Sequence, residues 1–189
     1  MKVIEQEIHS LKNSISEMWA LVHQQLYNAG EAMLTGDKEL AYKVISRERR
    51  VNAFELKIDS DCEDIIALYA PVAIDLRFVL AMYKINTNLE RLGDFAESIA
   101  RFAGNLPEGE PIDPQLVKET RVEEMLSELL SMISLTKEAF EKESSEIASR
   151  IFLKDNLIDE INHNSTAIIA KYIEEHKGCL LYTSDAADE

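Results

Sequence analysis

The chain has little of what bends or staples a backbone: six glycines, four prolines and two cysteines in 189 residues. So few turn-formers exclude a loop-rich or many-stranded fold. Cys62 and Cys179 have neither metal-ligand spacing nor the density of a disulfide scaffold, and Cys62 falls inside a helical run, where an inert role is expected. Basic residues are also short, 20 against 35 acidic, for a formal net charge of -15. Backbone phosphates reward clustered Lys and Arg, so nucleic-acid binding is not expected. No apolar run reaches the roughly 20 residues a bilayer span needs, and Met1 to Ala20 is charged and amphipathic rather than a signal peptide. A cytoplasmic protein is expected. There is no Gly-rich phosphate loop, no CxxC, no HExxH and no nucleophile with a neighbouring base, so catalysis has no support in the residues.

What is present is Leu, Ile, Ala, Glu and Lys in abundance, the composition of an all-α protein. Ile4, Ile8, Leu11, Ile15, Met18, Val22, Leu26, Ala29 and Met33 recur at gaps of three and four, which predicts a helix over 3–34 with Trp19 packing beside the stripe. Gly36 and Asp37 interrupt it, and Asp37 is a candidate N-cap for a second helix running to Tyr69. The third helix is expected over Pro71 to Ala103, about 50 Å long. Val72, Leu76, Val79, Leu80, Tyr83, Leu89 and Leu92 form its apolar stripe, Asp75 lies near its free N–H groups and Gly104 closes it.

Residues 105–114, NLPEGEPIDP, form the one extended Pro/Gly-rich linker. Beyond it, helices are expected over 115–142, with Leu116, Val122, Met125, Leu126, Leu129, Met132 and Ile133 inward, and over 145–177, with Ile151, Leu157, Ile158, Ile161, Ile168, Ile169 and Ile173 inward. At an offset of about 107 residues Ala41 lies over Ala148, Val44 over Ile151, Glu48 over Asp155, Val51 over Ile158 and Asn52 over Asp159, which suggests a duplicated three-helix unit. The copy of the third helix should begin near residue 178. The segment 178–189 ends instead in CLLYTSDAADE, which lacks a helical stripe and resembles a translated sequencing-adapter remnant, so it is left out of the fold. A second half without its third helix should carry uncovered apolar surface, and with it low stability, a compensating oligomer or a helix supplied by another chain.

Three acidic constellations stand out. In Glu90-Arg-Leu-Gly-Asp94 the two carboxylates lie one helical turn apart, a spacing that can share a hard or borderline cation, as in di-iron bundles. The alternative is a solvated face with Arg91 in a salt bridge. Gly93, mid-helix, costs about 1 kcal/mol against alanine and points to close packing or close ligand approach. Asp155 and Asp159 repeat the spacing, with His163 a further turn on. Glu48 and Asn52 are their counterparts in the first half, where the amide should be the weaker ligand.

Pro71-Val-Ala-Ile-Asp-Leu-Arg77, followed by Asn88-Leu-Glu-Arg-Leu-Gly-Asp94 and preceded by the acidic ExxxN run, with DxxxD in the second half, resembles the PhoU family of phosphate-signalling regulators. The resemblance covers about residues 3–177. It implies two tandem three-helix bundles, 3–104 and 115–177 around the linker, the second lacking its last helix. It implies metal ligands at Glu48, Asn52, Glu90 and Asp94 for a first multinuclear iron or zinc cluster, and at Asp155 and Asp159 for half of a second. Asn52 departs from the expected aspartate, while Asp75 and Arg77 take structural roles. The resemblance further implies a non-enzymatic, homodimeric negative regulator of the phosphate-starvation response and of phosphate uptake. Such a protein acts between a phosphate ABC transporter, through its ATPase, and a sensor histidine kinase, meeting the membrane only through these partners. A ferritin-like dinuclear oxidoreductase and a purely structural bundle are the alternatives, the former weakened because no Glu-x-x-His pair occurs at the motif positions.

Overall fold

The computed structural model describes residues 3–107 and 111–176, and every regular element among them is an α-helix. The chain divides into two compact units, Met1–Glu110 and Pro111–Glu189. The expected tail from Cys179 onward lies outside the described residues.

The first unit packs α1 (Val3–Thr35), α2 (Lys38–Tyr69) and α3 (Ala73–Asn105) side by side, each touching the other two. Gly36, at φ 70°, turns the chain out of α1, a left-handed conformation that glycine adopts without penalty. Asp37 then caps α2 as expected, its carboxylate accepting from the Leu40 N–H at 2.9 Å. At the far end of α2, Ala70 takes the left-handed C-cap at φ 44° and donates its N–H to the Ile66 carbonyl at 3.2 Å.

The third helix differs from expectation in three ways. It starts at Ala73, because Pro71 and extended Val72 serve as the connection. It runs through Gly104 to Asn105. Its inward stripe is also rotated: Val79, Met82, Asn86, Leu89, Gly93, Ala96, Ala100 and Ala103 are buried, whereas Val72, Leu80 and Tyr83 are exposed. The C-terminal half of this stripe is made of small residues, Gly93, Ala96, Ala100 and Ala103, which stand out less by hydrophobicity than the bulky side chains beside them. Leu11, Ile15, Met18, Trp19 and Val22 of α1 fill the space, with Val44, Val51, Ile58, Cys62 and Ile65 of α2.

Two buried amides fix the helices against one another. Gln25 Nε2 donates to the Val44 carbonyl at 2.8 Å, tying α1 to α2. Asn86 Nδ2 donates to the Glu55 carbonyl at 2.9 Å and to Asp59 Oδ1 at 2.7 Å, tying α3 to α2. Cys62 is sealed in the same seam, and burial, with Asp59, Asp61 and Glu63 nearby, pushes its thiol up to about 12. Native Cys62 should therefore resist a thiol reagent at pH 8 until urea unfolds the unit. Stoichiometric labelling of Cys62 within minutes, located by peptide mapping, would contradict that burial.

In the second unit the expected helix over 115–142 is two. α4 (Pro114–Thr120) and α5 (Val122–Lys142) meet at Arg121, which sits at φ 54°. The Thr120 hydroxyl donates to the Leu116 and Val117 carbonyls, at 2.7 and 3.2 Å, at the end of α4. The Arg121 guanidinium holds Glu124 at 2.8 and 2.9 Å and Glu160 at 3.0 Å. The break lets α4 pack on α6 (Ser145–Glu175) as well as on α5. Asp113 caps α4 through the Gln115 N–H at 2.8 Å and accepts from the Tyr172 hydroxyl at 2.9 Å, and both bonds draw its carboxyl below the usual range. Among the described residues only Thr120, Ile133, Ala139 and Ile161 of this unit are buried, while Phe152 and Leu153 are each 76% exposed. Ile169 and Ile173, expected inward, are exposed too.

Candidate metal centre

The α2–α3 seam that buries Val51, Ile58, Val79 and Leu89 carries its charge along one margin. Glu48, Asn52, Glu55 and Asp59 follow at helical spacing on α2, and Asn86, Glu90, Asp94 and Glu97 do so on α3. The rows run antiparallel, so Glu48 meets Asp94 and Glu97 at one end while Asp59 meets Asn86 at the other. Oxygens of Glu48, Asp94 and Glu97 lie within 4.8 Å of one another, a separation a single cation can bridge.

Gly93 is the close approach between the two rows. A Cβ placed there would lie 2.9 Å from Val51 Cγ1, so helix packing is what excludes a side chain. Since Gly93 precedes Asp94 and Val51 precedes Asn52, this close approach lies beside the carboxylates.

The electrostatics are those of an excess of like charge. Glu90 is held above the usual carboxylate range, first by partial burial and then by Asp94, Glu55 and Glu48. Glu55 is raised by burial, Asp59 and Asp94. Arg91, the counter-ion of the alternative solvated-face reading, is exposed, and among the described residues no ion pair joins it. Asn52 turns its Nδ2 to Glu48 Oε1, so this amide steadies a carboxylate with its donor end.

Of the expected ligands, the structure thus gathers Glu48, Asn52, Glu90 and Asp94 in one place. Asp155 and Asp159 are exposed one turn apart on α6, as is His163, and no further carboxylate or imidazole joins them from another helix among the described residues. Glu55, Asp59 and Glu97 adjoin the gathered four without having been expected from the sequence. Their signal was available: extending each acidic pair by one further helical step reaches Glu55 and Glu97, and a second step along α2 reaches Asp59.

Residues 15–103 match the family described as PhoU domain. A phosphate-specific transport system accessory protein PhoU homolog from Aquifex aeolicus is 33% identical over 171 residues, spanning 89% of this chain and 75% of that protein. The chain belongs to the PhoU family. The Escherichia coli phosphate-specific transport system accessory protein PhoU is 34% identical over 154 residues, 82% of this chain and 62% of that one. The fold agrees: the crystal structure of PhoU from Pseudomonas aeruginosa superposes with a TM-score of 0.85 at 26% identity, covering 93% of this chain and 83% of that one. That of the phosphate transport system regulatory protein PhoU from Streptococcus pneumoniae gives 0.80 at 28%, covering 92% and 80%. The all-α, paired three-helix architecture expected from the sequence is that of these PhoU structures.

Proposed function

We propose that this chain is a negative regulator of phosphate-starvation signalling and phosphate uptake, a metal-binding adaptor between a phosphate ABC transporter, through its ATPase, and a sensor histidine kinase. Membership of the PhoU family carries the regulatory part. The relatives compared above are named for accessory and regulatory work in phosphate transport, not for catalysis. None of the described helices is long and apolar enough to cross a membrane, so attachment from the cytoplasmic face would run through the partners. A homodimer is part of the same reading.

The donor set supports the metal part. An all-oxygen array, beside which partial burial and then neighbouring carboxylates raise Glu90 and Glu55, suits a hard or borderline cation, iron or zinc among them. Glu48, Glu90 and Asp94 would hold it, with Glu55 at the margin and Asn52 steadying Glu48. Once bound, the ion would neutralise the carboxylate excess and lock α2 to α3. Asp155 and Asp159 would be the α6 share of a second site.

Purified protein prepared without chelator should carry about one or more iron or zinc per chain by elemental analysis. The Glu90→Ala/Asp94→Ala double variant should lose it. Metal-free wild type, or metal retained in the double variant, sinks the metal part. The adaptor part predicts co-purification of the transporter ATPase or the sensor kinase, and absence of both at low and at high phosphate would remove it.

A further inference from the structure

We propose that Glu97 is a further ligand of the first unit's metal site, and that Arg101 is a tethered cation which competes with the metal for it. The inference rests on the metal reading above and adds two residues to it. Glu97 shares the 4.8 Å cluster with Glu48 and Asp94, yet it lies outside both the Glu90/Asp94 and the Glu48/Asn52 pairs. Its Oε1 is already engaged, since Arg101 donates to it from Nε at 3.1 Å and from Nη2 at 2.6 Å. Two N–H groups on one oxygen use both of its lone-pair directions, so a metal takes that oxygen only by displacing the guanidinium and takes Oε2 only with that positive charge alongside.

The two cations are unequal. The guanidinium spreads one charge over a planar fork, and the Arg101 side chain is 62% exposed against 21% for Glu97, so it loses little by returning to water. A divalent ion concentrates twice the charge where three carboxylates converge. Arg101 lies four residues from Glu97 on the same helix, so α3 alone brings the two together and needs no partner from elsewhere. In the metal-free protein Arg101 therefore offsets part of the acidic excess, and metal binding releases it one turn before the end of α3.

The test is Zn2+ affinity, measured by competition with a metallochromic chelator at pH 7.5 on the full chain. Four proteins are compared: wild type, Arg101→Gln, Glu97→Gln and the double variant, with helix content and thermal midpoint recorded for each. Arg101→Gln is expected to bind about two- to fivefold tighter, the range set by an exposed pair. Glu97→Gln should bind more weakly, and adding Arg101→Gln to it should change nothing further. Weaker binding by Arg101→Gln overturns the competition, because Arg101 would then hold Glu97 in place for the metal. Equal tightening in the Glu97→Gln background overturns it too, since Arg101 would act by long-range charge alone. Zn2+ affinity unaffected by Glu97→Gln removes Glu97 as a ligand. Absence of binding in wild type brings down the metal reading itself and this inference with it.

Discussion

Gly93→Ala is expected to destabilise the first unit by up to about 2 kcal/mol although alanine is the better helix former, and Gly93→Leu to cost about 3 kcal/mol or more. The reason is local. The added Cβ meets Val51 Cγ1 at 2.9 Å and the Val51 Cβ and Cγ2 at 3.5 Å. Val51 is β-branched within α2, where one χ1 rotamer dominates, so its methyl cannot swing aside and the helices must part. Overpacking of this kind costs about 1–3 kcal/mol, against about 1 kcal/mol gained from propensity. Urea titration of the Gly93→Ala, Val51→Ala and double variants would isolate the contact. In the Val51→Ala background Gly93→Ala should be neutral or stabilising. A Gly93→Ala protein more stable than wild type would show that the seam has slack.

Acidification should act on the two units with opposite sign and in different pH windows. Glu90 and Glu55 titrate higher in the folded first unit than their ordinary value of 4.5. The native unit therefore binds more protons than the unfolded chain between 4.5 and the raised values, and its stability falls as pH rises through that window. With chelator present, the urea midpoint of the first unit should be higher at pH 5.5 than at pH 7.5, and Glu90→Gln should flatten the difference. In the second unit Asp113, Glu124 and Glu138 titrate lower when folded, drawn down respectively by the Gln115 N–H with Tyr172, by Arg121 and by Lys142. Their contribution is present above the unfolded values and is lost as pH falls through the folded ones. A divalent cation should do at pH 7.5 what protons do at pH 5.5. At a hundred times its dissociation constant it adds about 2.7 kcal/mol to the first unit. A first unit that is more stable at pH 7.5 than at pH 5.5 without metal would contradict the crowding of Glu90 and Glu55.

Much of the first unit was legible in the sequence because its signals are local. Gaps of three and four gave α1 and α2, and Gly36–Asp37 marked their junction within a residue. The rotated face of α3 was not legible, because Gly93, Ala96, Ala100 and Ala103 are buried for their smallness, which hydrophobic periodicity counts weakly. Nor was the break at Arg121, whose guanidinium reaches Glu160 on α6 as well as its neighbour Glu124. The Glu90/Asp94 pair was visible as an i, i+4 spacing. That it faces Glu48 and Glu97 depends on the antiparallel register of α2 and α3. Asn86 fixes that register through hydrogen bonds to the Glu55 carbonyl and the Asp59 carboxylate, which no residue pattern announces.

The uneven burial of the two units bears on what unfolding means for this chain. A bundle with a continuous apolar interior opens as a whole, so its slowest backbone amides exchange with solvent only through global unfolding. One that buries four of its described side chains has many cheaper partial openings, and its amides exchange through those. The chain thus has no single free energy of unfolding. A midpoint followed by total helix signal averages a cooperative transition with a gradual one.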